Sequence, residues 1–176
     1  MTRLLGISGS LRAASTNSLL VKEAARIFDA DHFDFADLNV PLYSGDIESD
    51  IGIPASVQRL ADQIAAADAV IIATPEYNKS ISGVLKNALD WVSRVDGNPW
   101  ADKPVAVMSA TAGRSGGERA QDVLRHAMRP FRPNLIPGNE VLVGETSKQF
   151  DETGTLTNER YIKAVTGLMT ALKSQL

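Results

Sequence analysis

Three short stretches hold most of the residues with chemistry to offer. The first, Gly9-Ser10-Leu11-Arg12-Ala13-Ala14-Ser15-Thr16-Asn17, is small and hydroxyl-bearing with one arginine, and lies between an apolar run at 4–8 and a helical pattern over 18–29. A strand, a turn of this kind and a helix amino terminus make a site for an anion, phosphate above all, because unpaired N–H groups and the helix dipole both favour negative charge. Ser10, Ser15, Thr16 and Asn17 add side-chain donors and Arg12 a full charge. A helix cap would account for Thr16 or Asn17 alone; five such residues around one turn point to a phosphate. The second stretch runs from Pro75 through Glu76, Tyr77, Asn78, Lys79, Ser80 and Ser82, with more polar and aromatic groups than a connector needs. The third is Thr111-Ala112-Gly113-Arg114-Ser115-Gly116-Gly117.

Each stretch follows a run with the length and apolar content of a buried strand: 4–8, 68–74 and 104–110. Residues 32–38 alternate as a further strand, with Phe33 and Phe35 on one face, and 139–143 reads as the last, after a break at 130–137. Helical patterns cover 18–29, 55–67 and 118–128, and a closing helix covers 158–172. A further helix from Gly83 carries Leu85, Leu89 and Val92 at i, i+4 and i+7, with Lys86/Asp90 and Asp90/Arg94 spaced as ion pairs. It reads either as a surface helix held by its apolar stripe or as one whose Asn87 and Trp91 also meet a second subunit. Residues 39–54, holding Pro41, Gly45, Gly52 and Pro54, form a long irregular segment expected to be a partly ordered rim of the binding site and not a linker.

Strands alternating with helices predict an α/β fold, a parallel sheet with helices on both faces. Five strands suggest the flavodoxin-like order 2-1-3-4-5, a three-layer arrangement in which the loops after strands 1 and 3 stand side by side where the winding reverses. The loop after strand 4 then joins them, so the three stretches form one crevice.

The chain has 176 residues, enough for one domain over 1–176 that buries about 70% of its unfolded surface. A net charge of −3 gives no basic footprint, so no nucleic-acid partner is expected. Cysteine is absent, which removes disulfides and thiolate metal sites and suits a reducing compartment. No apolar run approaches the roughly 20 residues of a membrane span or the core of a signal peptide, and a cytoplasmic protein without membrane contact is expected. Gly6-Ile7-Ser8-Gly9-Ser10 misses the G-x-S-x-G elbow at its fifth position, and the two histidines, His32 and His126, have no evident partners for a hydrolase.

Gly9-Ser10-Leu11-Arg12 with Ser15 and Asn17, Pro75-Glu76-Tyr77-Asn78 with Ser80, Gly83 and 85–91, and Gly116-Gly117 with Arg119 and Gln121 together resemble the NADPH-dependent FMN reductase family, which includes bacterial quinone, chromate and azo-dye reductases. The resemblance runs from about residue 3 to 143. It implies FMN as cofactor and NADPH or NADH as reductant. Ser10, Arg12, Ser15, Thr16 and Asn17 would then hold the FMN phosphate. Pro75, Glu76, Tyr77, Asn78 and Ser80 would lie along the isoalloxazine ring, and Ser109, Thr111 and Gly113 would reach its far edge. It further implies hydride transfer through the flavin to small-molecule electron acceptors in a ping-pong sequence, with no catalytic side chain and no metal. A homodimer or homotetramer is implied, with contacts from the helix at Gly83 and the rim near Tyr43. Ser82 stands where the family often has proline, which would leave that loop more mobile. The competing reading is a flavodoxin-like FMN carrier that serves protein partners without oxidising NAD(P)H.

Overall fold

A computed structural model describes residues 1–138 and 140–176. In chain order its strands are β1 (Arg3–Ser8), β2 (His32–Phe35), β3 (Ala69–Thr74), β4 (Pro104–Ala110), β5 (Asn134–Leu135) and β6 (Val141–Val143). Its helices are α1 (Thr16–Phe28), α2 (Gly45–Ile51), α3 (Ala55–Ala66), α4 (Gly83–Val92), α5 (Glu118–Met128) and α6 (Glu159–Lys173).

Every residue of β3 is buried, and its side chains alternate between two halves of the core. Ala69, Ile71 and Ala73 pack with Leu20, Val21 and Phe28 of α1 and Val165, Leu168 and Met169 of α6. Val70 and Ile72 pack instead with Leu60 and Ile64 of α3, Leu85 and Leu89 of α4 and Leu124 of α5. Burial on both faces is why these strands read as unbroken apolar runs.

The sheet is parallel, in the order β2-β1-β3-β4-β5, with β6 also on β4, so the flavodoxin-like winding expected from the sequence is the one found. The fifth position is shared by two short strands. β5 pairs with Pro104 and Val105 at one end of β4, and β6 with Met108, Ser109 and Ala110 at the other. The single strand expected over 139–143 is thus shorter and has a companion upstream; its first residue, Asn139, lies outside the described residues. Pro137 has no N–H for the ladder and Gly138 sits at φ 89°, so the backbone leaves the sheet between the two pieces.

Residues 39–54 are more ordered than an irregular loop, since Ser44 caps α2 there by accepting from Asp46 N at 3.2 Å. None of the residues of α2 is buried, which is why apolar periodicity gave no helix. The segment docks on α4. Asn87 accepts from Tyr43 N (2.8 Å) and donates to Pro41 O (2.9 Å), Trp91 Nε1 donates to Pro41 O (2.7 Å), and the Tyr43 ring stands edge-on to Trp91 at 5.0 Å. Trp91 is fully buried by these contacts, so it presents no surface to a second subunit. The Lys86–Asp90 pair forms at 2.6 Å, but Arg94 reaches across to Glu48 of α2 at 3.0 Å instead of back to Asp90. Among the described residues no helix is long and apolar enough to cross a membrane.

The carboxyl end of α3 has no glycine and is capped from β4's side. Lys103 Nζ donates to Ala65 O at 3.1 Å and also to Ala67 O. Burial holds this ammonium below the usual lysine range, with Asp68 acting the other way. A lysine that binds its proton less well when folded than when unfolded adds stability as pH rises from the folded pKa towards the unfolded one. Lys103→Met is therefore expected to lower the melting temperature by several degrees at pH 7 through the lost caps. It should also lack the relative gain that the parent protein shows on going to alkaline pH, both read from thermal melts across pH 7–10.

Candidate functional site

The first loop is shaped by its own short bonds. Gly9 N donates to Ala73 O at 2.8 Å, Ser15 N to Arg12 O at 3.1 Å, and Ser15 Oγ caps α1 by accepting from Ser18 N at 3.3 Å. With Ser15 as the cap, α1 starts at Thr16, and the N–H groups of Thr16 and Asn17 find no acceptor among the described residues, as the first turn of a helix requires. Arg12 is exposed and makes no ion pair among the described residues.

Asn17 does more than line the loop. Its Nδ2 donates to Ala110 O (2.9 Å) and its Oδ1 accepts from Ala110 N (3.0 Å), a buried two-bond clamp between the start of α1 and the end of β4. Ser82 is the second tie: its Oγ donates to Gly9 O at 2.6 Å and accepts from Leu85 N at 3.2 Å, capping α4 while holding the first loop. The loop that a serine here was expected to loosen is therefore fastened by it. The third tie is Glu76, whose Oε2 accepts from Ala120 N in the first turn of α5 at 3.3 Å.

After Glu76 the chain turns back on itself. Tyr77 and Ser80 exchange backbone bonds of 3.0 Å in both directions, and Asn78 (φ 52°) and Lys79 (φ 64°) form a left-handed two-residue tip of the hairpin type. In the third loop, Gly116 sits at φ 66° where a Cβ would lie 2.4 Å from the Leu142 carbonyl carbon, so only glycine lets the loop settle on β6.

These loops enclose a crevice of about 460 Å³ at the carboxyl edge of the sheet. Ser10, Arg12, Ser15, Thr16 and Asn17 line it on one side, Pro75, Glu76 and Tyr77 on another, Thr111 and Gly113 on a third. Three expected residues do not reach it. Asn78 and Ser80 lie in the hairpin that follows Tyr77 and are not part of the lining. Ser109 is fully buried behind the third loop, donating to Gly116 O at 2.6 Å and accepting from Gln121 Nε2 at 2.8 Å. The irregular rim at 39–54 contributes nothing to the lining either, because it is held on α4. Missed in the sequence were Thr146 and Ser147, which close the fourth side from a short turn after β6. Their signal was the run Gly144-Glu145-Thr146-Ser147, another small and hydroxyl-bearing turn after a strand.

An elongated phosphorylated ligand with a flat ring fits this donor set: unpaired helix N–H groups, hydroxyls and a guanidinium at one end, backbone and the half-exposed Tyr77 ring (49% exposed) at the other. A larger groove of about 580 Å³ lies elsewhere, between the ends of α4 and α5. It holds the Lys86–Asp90 pair and lacks any such convergence of donors.

A parallel α/β sheet with an anion-ready crevice at the point where its winding reverses defines a flavodoxin-like nucleotide-binding protein. The family model described as NADPH-dependent FMN reductase matches residues 2–148. The chain is 39% identical over 173 residues to an NAD(P)H-dependent FMN reductase of Pseudomonas aeruginosa, covering 97% of this chain and 93% of that one. It is 35% identical over 175 residues to a quinone reductase of Escherichia coli, covering 96% and 92%. Among solved structures, the flavoenzyme NAD(P)H:(acceptor) oxidoreductase FerB of Paracoccus denitrificans superposes with a TM-score of 0.88 at 31% identity, covering 99% of this chain and 97% of that one. The chain belongs to the NADPH-dependent FMN reductase family, and it is an oxidoreductase.

The Asn17 clamp is the tie with most to lose. Asn17→Ala removes both bonds to the Ala110 main chain in a buried place, and a loss of about 1–3 kcal/mol is expected. Urea unfolding of the apoprotein should show it as a lower midpoint at unchanged slope.

Proposed function

We propose that the crevice holds FMN, with the phosphate on Ser10, Arg12, Ser15, Thr16 and Asn17 and the ring along Pro75, Glu76, Tyr77, Thr111 and Gly113. The observation that carries this reading is the meeting, at one end of a single crevice, of the free N–H groups of α1, three hydroxyls and Arg12. The chemistry supplied by bound FMN is two-electron transfer from NADPH or NADH to a small-molecule acceptor, a quinone, azo compound, metal oxyanion or free flavin, in a ping-pong sequence where both use the same space.

The residues of this chain bind and orient. Backbone N–H groups of Glu76, Ala112 and Gly113, which have no acceptor among the described residues, face a ligand that becomes more negative on reduction and stabilise that charge in the manner of an oxyanion hole. No side chain in the crevice has to move a proton. Glu76 offers its N–H to the ring side while its carboxylate is occupied at α5. The exposed Tyr77 leaves one side open to flat acceptors of differing shape.

The protein works in this reading as a cytoplasmic homodimer or homotetramer. An interface at α4 would be made by the outer side of the docked segment, which exposes Leu42 (79%) next to Tyr43 and Ile51 (65%) at the end of α2. Light scattering on the purified protein tests the assembly.

The visible spectrum of the purified protein, reconstituted with FMN, decides the activity. Anaerobic NADPH should bleach the bound flavin; a flavin that binds but stays oxidised would favour the electron-carrier role, and no binding would refute the crevice assignment. Arg12→Ala is expected to weaken FMN binding about tenfold or more while leaving riboflavin, which has no phosphate, nearly unaffected. Fluorescence titration with both flavins checks the difference.

A further inference from the structure

Helix α5 cannot cap itself. Its cap position is Gly117, at φ 92°, and a Cβ there would lie 2.8 Å from Ser109 Cβ, so no serine, threonine or aspartate fits where such residues normally accept from the first turn. The missing acceptor comes from another loop. Glu76, half-buried on the ring side of the crevice, places Oε2 3.3 Å from Ala120 N, at the end of α5 where the helix dipole favours negative charge. The two other ties of the crevice, Asn17 to Ala110 and Ser82 to Gly9, join the first loop to β4 and to the start of α4. Among the described residues, Glu76 is the side chain that hydrogen-bonds the second loop to the helix that follows the third.

We propose that Glu76 is a positioning residue that caps α5 from across the crevice and thereby sets the second and third loops as one wall. This rests on the reading of the crevice as the FMN site. The side chain performs no transfer; it fixes where the backbone N–H groups of Glu76, Ala112 and Gly113 stand. The same contact keeps the carboxylate charge at a helix amino terminus instead of against a ring that gains negative charge on reduction.

Two variants separate the brace from the charge. Glu76→Gln keeps an oxygen able to accept from Ala120 N, and its binding of FMN and of riboflavin should stay within about threefold of the parent's. Glu76→Ala removes the cap, and both flavins should bind about fivefold or more weakly, by the same factor, because the loss lies on the ring side and not at the phosphate. Hydrogen exchange at the Ala120 amide of the apoprotein should quicken in Glu76→Ala and stay near the parent's rate in Glu76→Gln. Unchanged exchange in Glu76→Ala overturns the brace whether or not flavin binds. A loss in Glu76→Gln equal to that in Glu76→Ala, or a loss confined to FMN, overturns it as well. If the parent protein binds neither flavin, the crevice assignment fails, and the exchange rates still decide the brace.

Discussion

The site depends on one constraint: three loops that leave a parallel sheet at neighbouring strands have no ladder of their own and must be held together by side chains. The two bonds between Asn17 and Ala110 are the centre of the solution. They satisfy the last main-chain groups of β4 with an amide from the start of α1, and they do so in a buried place where either group left alone would be costly. Ser82 and Glu76 repeat the device at the other two junctions. In each case a side chain of one segment meets the main chain of another.

Much of this was legible in the sequence where burial is two-sided. β4 and α5 have the bounds that their apolar patterns indicate, and β3 falls within a residue of them. Legibility fails where elements are thin or exposed. α2 has no buried residue and so no periodicity to read. β2 ends at Phe35, at the sheet edge, where Phe33 and Phe35 are more than a third exposed and stand edge-on to each other, 6.3 Å apart. The split fifth strand was masked by Pro133 and Pro137, which read as breakers although the backbone beside them still pairs with β4.

For the site, residue type identified the loops better than it identified the roles within them. Ser10, Arg12, Ser15 and Thr16 line the crevice beside the start of α1. Asn17 lines the crevice too, yet most of its amide belongs to the clamp, which only the pairing of distant strands could reveal. Ser109, which the family resemblance put at the far edge of the ring, instead supports Gly116 from behind with its hydroxyl. The hairpin at Asn78 and Lys79 was hidden because its tip lacks the Asn-Gly or Asp-Gly pair that usually marks one, though Asn tolerates the left-handed region better than most residues.

Ser82 shows how such a crevice can change without losing its shape. A proline at this position would fix the backbone ahead of α4 but offer no hydrogen-bond donor to Gly9 O. The serine gives up that stiffness and supplies two bonds in its place, one closing the helix end and one reaching the first loop. Rigidity is thereby moved from the covalent ring of one residue to a contact between loops. A wall held in this way keeps its backbone donors fixed, while Tyr77 and the turn at Thr146 and Ser147 remain free of the braces. Substitutions at those positions can therefore reshape the lining without disturbing the geometry that the three ties maintain.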